Sequence, residues 1–289
     1  MFDLNALKYI IEKYGNVDME GYYIKYQRTE NSEIEKIYIG KTQYLFLHVP
    51  KTGGTYVARS GGVLKPIFDM NHAVLVNMPY TGNPDYPPTP GYSSYMREDV
   101  TLVTKPNRLC FAAVRNPFDW FVSYWFHAGC NLDTSEHYDF PIARKGFDYF
   151  IKSIAERESG WPSKKLLYFA FFSYQGDFII DRLIHQENLD FELDEFASED
   201  PELIYTKSNA RPRVSVGRDK DYSVYYNDNL VDLISNTWYR DLYLFGYNFY
   251  GRSTGFYDKV ILPEQKARVK YIWDTDTLFI DGEIFAKHN

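Results

Sequence analysis

LFLHVPKTGGTYVARS, residues 45–60, decides how this chain folds. The compact apolar run from Tyr44 to Val49 ends at Pro50, the pattern of a strand buried on both faces. Lys51-Thr52-Gly53-Gly54-Thr55 follows, and the residues after it suit a helix, so the segment reads as strand, glycine-rich turn, helix. Such a turn suits an anion. Glycines let backbone amides approach closely, a helix start adds its positive dipole end, and Lys51 with two hydroxyls completes a phosphate cradle. The nucleoside triphosphate loop GxxxxGK[ST] carries its lysine after the glycines. Here the lysine precedes them, so that standard loop is absent, and a plain glycine-rich turn with an exposed lysine is the competing reading.

A second informative segment lies downstream, FAAVRNPFDWFVSYWFH at residues 111–127. A buried strand from Leu109 to Val114 delivers Arg115 at its C-terminal end, where α/β folds bind ligands. Asn116 is expected to cap a helix with Pro117 at its first position and Gly129 after its end. Phe118, Phe121, Val122, Trp125 and Phe126 form one apolar stripe on that helix. Ser123 falls two turns in, at the edge of the stripe. An arginine fork with a hydroxyl nearby suits phosphate. An arginine merely held by Asp119 is the alternative.

Outward from these segments, Leu4, Leu7 and Ile11 predict a short helix stopping at Gly15, and GYYIKYQRTENSEIEKIYIG (21–40) predicts a β-hairpin. Pro79, Pro84, Pro87, Pro88 and Pro90 predict a stiff loop. Helices are expected near 147–158 and 229–241, the latter with Leu230, Leu233, Ile234 and Trp238 on one face. A strand over Phe178–His185 should lead into a helix opening at Asn188. Asp281-Gly282 within TLFIDGEIFAK predicts a hairpin. Strands alternating with helices imply an α/β fold with a mostly parallel central sheet flanked by helices. No composition break divides the chain, so 1–289 is expected to be one domain, with 1–40 and 251–289 as extensions of a 41–250 core.

Composition bounds the function. Of 289 residues, 45% are hydrophobic and 25% charged, which excludes a disordered tail or a coiled-coil rod. With 32 basic and 39 acidic residues the net charge is −7, which argues against nucleic acid but allows a local basic pocket. Cys110 and Cys130 are too few for a disulfide framework or a four-ligand zinc site. The longest apolar candidate, Leu166 to Tyr174, is far short of the ~20 residues of a membrane span. The N-terminus has no secretory pattern. These points predict a soluble, cytoplasmic protein without a metal. Its 27 Tyr, 21 Phe and 5 Trp are expected mainly to fill the core.

HVPKTGGT followed by VRNPFDWFVSYW resembles the sulfotransferases that use 3′-phosphoadenosine 5′-phosphosulfate (PAPS), in the style of the carbohydrate branch related to heparan sulfate 2-O-sulfotransferase. That resemblance implies a P-loop-like sulfotransferase fold and transfer of a sulfuryl group to a hydroxyl or amine, on a glycan or a small molecule. It assigns Lys51, Thr52, Gly53, Gly54 and Thr55 to the 5′-phosphosulfate, and Arg115 and Ser123 to the 3′-phosphate. DRLIHQENLD, near Glu187 and Asn188, and the stretch from Lys207 to Phe249 resemble later parts of the family more weakly. Lys207, Arg211, Arg213, Arg218 and Lys220 form the most basic part of the chain, and Arg218 is the best candidate to close over PAPS. A solvated charged loop is the alternative.

Under this resemblance Lys51 stabilises the leaving 3′-phosphoadenosine 5′-phosphate (PAP), and His72, in KPIFDMNHAVL, takes the acceptor proton. Asp69 is the substitute base. His48 is assigned to structure or cofactor contact, while His127 and His185 read as residues with no chemical partner. The proline-rich loop, with Tyr80, Tyr86, Tyr92 and Tyr95, is expected to wall the acceptor cleft. A sulfuryl group carries less charge than a phosphoryl, so no metal is required. Two other readings stay open: an atypical P-loop nucleotide kinase, and a non-catalytic nucleotide- or glycan-binding module on the same scaffold. The kinase expects lysine after the glycines and an aspartate where Arg115 stands.

Overall fold

A computed structural model of the chain describes residues 17–19, 22–28, 34–41, 44–47, 49–54, 56–57, 67–69, 109–129, 139–158, 161–172, 176–199 and 217–286. The expected helix near the N-terminus, the proline-rich loop, His48, Thr55, His72, Cys130, Lys207, Arg211 and Arg213 lie outside these residues.

Strands β1 (Val17–Met19), β2 (Tyr22–Arg28) and β3 (Ile34–Lys41) form an antiparallel sheet, and the β2–β3 pair is the hairpin expected over 21–40. Four further strands, β4 (Tyr44–Leu47), β5 (Ile67–Asp69), β6 (Leu109–Val114) and β7 (Arg182–His185), make a second sheet in the order β5-β4-β6-β7. All three pairings are parallel, with Leu47 opposite Ala112 and Val114 opposite His185. The chain leaves β4 toward β5 on one side and returns to β6 on the other, so the strand order reverses between β4 and β6. In open α/β sheets the crevice at such a reversal, beyond the C-terminal strand ends, is where ligands bind. The two informative sequence segments end there.

Both faces of this sheet are covered, which is why β6 is apolar throughout. Cys110, Ala112 and Val114 belong to a large cluster with Phe118, Phe121 and Val122 of helix α1 (Pro117–Gly129). The alternate residues, Phe111 and Ala113, join Phe46, Val57, Leu193 and Phe196 on the opposite face. Helices α2 (Phe140–Ala143) and α3 (Phe147–Ala155) pack beside α1, and α4 (Leu189–Glu199) supplies Leu193 and Phe196. Among the described residues, large aromatic side chains fill much of the interior: Trp120, Trp238, Tyr168, Tyr257 and Tyr271 are fully buried, and Trp120 stacks on Tyr124 at 4.9 Å.

Three expected elements differ in extent. The strand foreseen over Phe178–His185 is regular only in β7, because Phe178 bridges to Phe172 and the Ile179 amide donates to the Phe171 carbonyl at 2.9 Å, away from β6. The following helix starts at Leu189 after a 3₁₀ turn over Gln186–Asn188. The helix expected over 229–241 is two helices, α5 (Asp228–Thr237) and α6 (Tyr239–Phe245), broken at Trp238. There the indole nitrogen donates to the Ser163 carbonyl at 3.0 Å, and the ring sits 4.4 Å from Phe121. Gly129 is the last residue of α1 and not its successor.

After a short ladder of β8 (Tyr247–Asn248) with β9 (Gly251–Arg252) comes helix α7 (Pro263–Ala267). A C-terminal antiparallel sheet follows, made of β10 (Val269–Ile272), β11 (Thr277–Ile280) and β12 (Glu283–Ile284). The β11–β12 turn is the expected Asp281-Gly282 hairpin, both residues at positive φ (56° and 81°). Among the described residues no helix is long and apolar enough to cross a membrane.

Candidate functional site

The glycine-rich turn leaves β4 in a tight path. Lys51 adopts a left-handed backbone (φ 68°), uncommon for a residue with a side chain, and Gly53 follows at φ 88°. The Thr52 hydroxyl donates to the Val49 carbonyl at 2.8 Å, so its single proton braces the turn from within. The Gly53 carbonyl accepts from Tyr56 and Val57, which opens the helical turn that includes Gly54. The left-handed φ of Gly53 favours glycine, and a side chain there would also displace the tip of Leu189, whose Cδ2 would lie 2.9 Å away.

Arg115 sits one residue beyond β6, directly beside this turn. Its Nη1 donates to the Lys51 carbonyl at 2.9 Å, while Nε lies 2.7 Å and Nη2 2.6 Å from Asp119 Oδ2. The Trp120 indole donates to the Pro50 carbonyl at 2.8 Å, a second tie between α1 and the turn. The backbone of Arg115 is gripped from behind: the Tyr168 hydroxyl accepts from its N–H at 2.9 Å and donates to its carbonyl at 2.6 Å. Ser123 is buried farther along α1.

Asn116 does more than cap. Its Oδ1 accepts from the Phe118 amide at 3.1 Å, as expected of a cap, and its Nδ2 donates to the Asn248 carbonyl at 2.9 Å. Its own amide donates to Glu187 Oε1 at 2.8 Å, and Glu187 Oε2 accepts from the Tyr247 hydroxyl at 2.9 Å. The ends of β6 and β7 and the β8–β9 ladder are thereby fastened to one asparagine.

Arg218 completes the charge cluster. Its guanidinium pairs with Asp119 Oδ1, so one carboxylate is shared by two arginines far apart in the sequence. Burial lowers the Arg218 pKa, and the neighbouring Arg115 charge lowers it further. Its Nε is buried with no hydrogen-bond partner. Two guanidinium groups, those of Arg115 and Arg218, thus face the single carboxylate of Asp119, an arrangement that suits an oxyanion. Lys220, the other described member of the basic stretch, is exposed. The Tyr222 hydroxyl is pushed up to about 12 by burial and by Asp119 and Glu187, and Tyr226 is raised by the same kind of burial. Both therefore remain protonated donors, Tyr226 to the Phe118 carbonyl at 2.7 Å.

The sequence expectation for His185 is corrected. This histidine is fully buried at the end of β7 and does have a partner, Glu192 of α4, whose Oε2 accepts from the His185 amide at 2.7 Å and contacts Nδ1 at 2.9 Å. Burial works to raise the Glu192 pKa, but the His185 bonds outweigh it and hold the carboxyl below its usual value. Cys110 is buried, and desolvation raises its thiol well above the ordinary range, which leaves it unreactive. Asp69 ends β5, opposite Phe46 of β4. Among the described residues no group of His, Cys, Asp or Glu is arranged to hold a metal ion.

Lys51, Thr52, Gly53, Gly54 and Arg115 are thus brought together at the strand reversal, with Ser123 on the helix that Arg115 leads into. Arg218 joins them. Tyr168, Asn116 as a hub and the sharing of Asp119 with Arg218 were missed by sequence reasoning, which had offered Asp119 only as the holder of Arg115, a pair the structure does contain. Only Asp119 left a signal, its i,i+4 spacing from Arg115. Compared with protein-family models, curated proteins and solved structures, the chain matches none of them.

Proposed function

We propose that this chain is a PAPS-dependent sulfotransferase with a P-loop-like fold, moving a sulfuryl group to a hydroxyl or amine of a glycan or small-molecule acceptor. The observation that carries the reading is the 2.9 Å bond from Arg115 to the Lys51 carbonyl, at the strand reversal. Two motifs that resemble the two ends of a PAPS site in sequence meet there in space. The buried, unpartnered Nε of Arg218 fits a site that takes an anion.

In this reading the Lys51–Gly54 turn holds the 5′ end of the donor, and Thr55 adds a hydroxyl. Arg115 presents its remaining Nη hydrogens to the 3′-phosphate, with Ser123 and Arg218 beside it. The acceptor oxygen attacks sulfur in line, a new S–O bond forms, and the bond from sulfur to the 5′-phosphate oxygen breaks. The electron pair leaves with PAP, where Lys51 offsets the developing charge. His72 takes the acceptor proton, and Asp69 is the alternative base. Alignment and electrostatics supply the rate, with no protein-bound intermediate.

The test is transfer of radiolabelled sulfate from PAPS to a panel of saccharides, phenols and amines, with Lys51→Ala as the control. Label in at least one acceptor, lost in the variant, is the expected result. If PAP binds but no acceptor is ever labelled, the non-catalytic binding module is the better reading. Phosphate transfer from ATP would support the kinase.

A further inference from the structure

The backbone of Arg115 lies just past the end of the sheet. β6 stops at Val114, while its neighbours β4 and β7 stop at Leu47 and His185. No ladder partner remains for the Arg115 N–H and C=O, yet Arg115 is buried, and buried backbone groups need partners. One side chain from fifty-three positions away supplies both. The Tyr168 hydroxyl accepts from the N–H and donates to the C=O of that single residue.

The tyrosine is itself held rigidly. Its ring is fully buried, stacked 5.3 Å from Phe171 and edge-on 5.1 Å from Phe245. Its own amide and that of Leu167 both donate, at 3.0 Å, to the two carboxylate oxygens of Asp241 on α6. A continuous chain therefore runs from Asp241 through the 167–168 turn and the Tyr168 hydroxyl to the Arg115 backbone. From there it reaches the guanidinium between Asp119 and Lys51. Burial raises the Tyr168 pKa well above its ordinary value, so the hydroxyl keeps the proton it donates.

We infer that Tyr168 is a positioning residue of the anion site, its hydroxyl fixing the Arg115 backbone so that the guanidinium is aimed at the Lys51 turn and at the oxyanion bound there. Its importance for donor binding rests on the sulfotransferase reading, but its effect on Arg115 does not. A residue that touches no ligand thereby controls affinity for one. Phenylalanine keeps the ring and its packing but removes both bonds, leaving the Arg115 N–H and C=O unpaired.

The experiment compares Tyr168→Phe with Tyr257→Phe. Tyr257 is also fully buried and stacks 4.2 Å from Phe178, but its hydroxyl has no partner, so the same atom is deleted without a bond being lost. Two quantities are read on each full-length protein: PAP affinity by calorimetry, and hydrogen exchange of the Arg115 Nε–H by NMR, assigned with Arg115→Lys. Tyr168→Phe is expected to weaken PAP binding by about tenfold, the effect of losing roughly one net hydrogen bond to the site, and to speed Arg115 Nε–H exchange. Tyr257→Phe should change neither. Equal PAP affinity and equal exchange in Tyr168→Phe and wild type would overturn the inference.

If wild type binds no PAP, the sulfotransferase reading falls, and the exchange rate alone decides whether Tyr168 positions Arg115. Should Tyr168→Phe not fold, Asp241→Asn replaces it, since it slackens the same turn while keeping the tyrosine. Faster Arg115 exchange in Asp241→Asn supports the chain of contacts, and unchanged exchange refutes it.

Discussion

Arg115 commits its Nε, Nη1 and Nη2 to Asp119 and the Lys51 carbonyl, yet its planar fork still has an outward hydrogen on each terminal nitrogen. Lysine cannot reproduce that geometry, because its ammonium is a point charge. Arg115→Lys is therefore expected to weaken PAP binding by about ten- to a hundredfold, in line with ~1.5–3 kcal/mol for hydrogen bonds to charged groups. The fold should survive, since Asp119 keeps Arg218 as a partner. Calorimetric titration and a melting curve check both halves. Gly53 makes a second residue-scale prediction. Gly53→Ala should destabilise by about 1–2 kcal/mol from the left-handed backbone alone, with a further contribution from the 2.9 Å approach to Leu189. Adding Leu189→Ala should relieve the clash but not the backbone cost, so the double-variant cycle should show coupling. Strict additivity would contradict this packing account.

At the scale of elements, what the sequence revealed depended on whether a signal was local. β6 and α1 were legible because an apolar run, an Asn-Pro start and a stripe from Phe118 to Phe126 all lie within twenty-one residues. The β11–β12 hairpin was legible from Asp281-Gly282. The break between α5 and α6 was not, because Leu230, Ile234 and Trp238 keep a helical period while the Trp238 backbone leaves it (ψ 29°). The Asp119–Arg218 pair joins residues far apart, and nothing in either local sequence announces it. His185 with Glu192 is intermediate: a strand end and the helix after it, read separately, hide a buried bond that their packing creates. Asp241 of α6 supplies the pH prediction. Burial raises it to about 6, against the bonds from Leu167 and Tyr168 that act to lower it. A folded value above the unfolded 3.8 means the folded chain holds this proton more tightly. The resulting stabilisation is complete below the unfolded value and is lost as pH rises through about 6. Melting temperatures of wild type relative to Asp241→Asn should therefore fall between pH 4 and pH 7, by an amount corresponding to roughly 1–3 kcal/mol. Parallel curves would remove this role.

For the molecule as a whole, the C-terminal sheet is built into the core and not appended to it. The Tyr271 amide donates to the Gly176 carbonyl at 2.9 Å, its ring lies 5.4 Å from Phe172, and Val269 and Leu278 are buried in the same cluster as α1. Burial of three such side chains stabilises by several kcal/mol, at ~1.5–3 kcal/mol each, a large share of an ordinary domain's 5–15 kcal/mol. Ending the chain at residue 262 should abolish cooperative folding, and the intact chain should unfold in one transition, with tryptophan fluorescence and near-ultraviolet dichroism coinciding. Separate transitions would show that the C-terminal sheet folds independently. The central proposal is narrower: the crevice beyond the C-terminal ends of β4 and β6 is proposed to take an adenosine 3′,5′-bisphosphate between the Lys51 turn and Arg115. A crystal structure of the protein with PAP tests it most directly. The 5′-phosphate should lie on the Lys51–Gly54 turn, and the 3′-phosphate should accept from Arg115. PAP absent from that crevice at saturating concentration, or bound with its phosphates away from both residues, would contradict it.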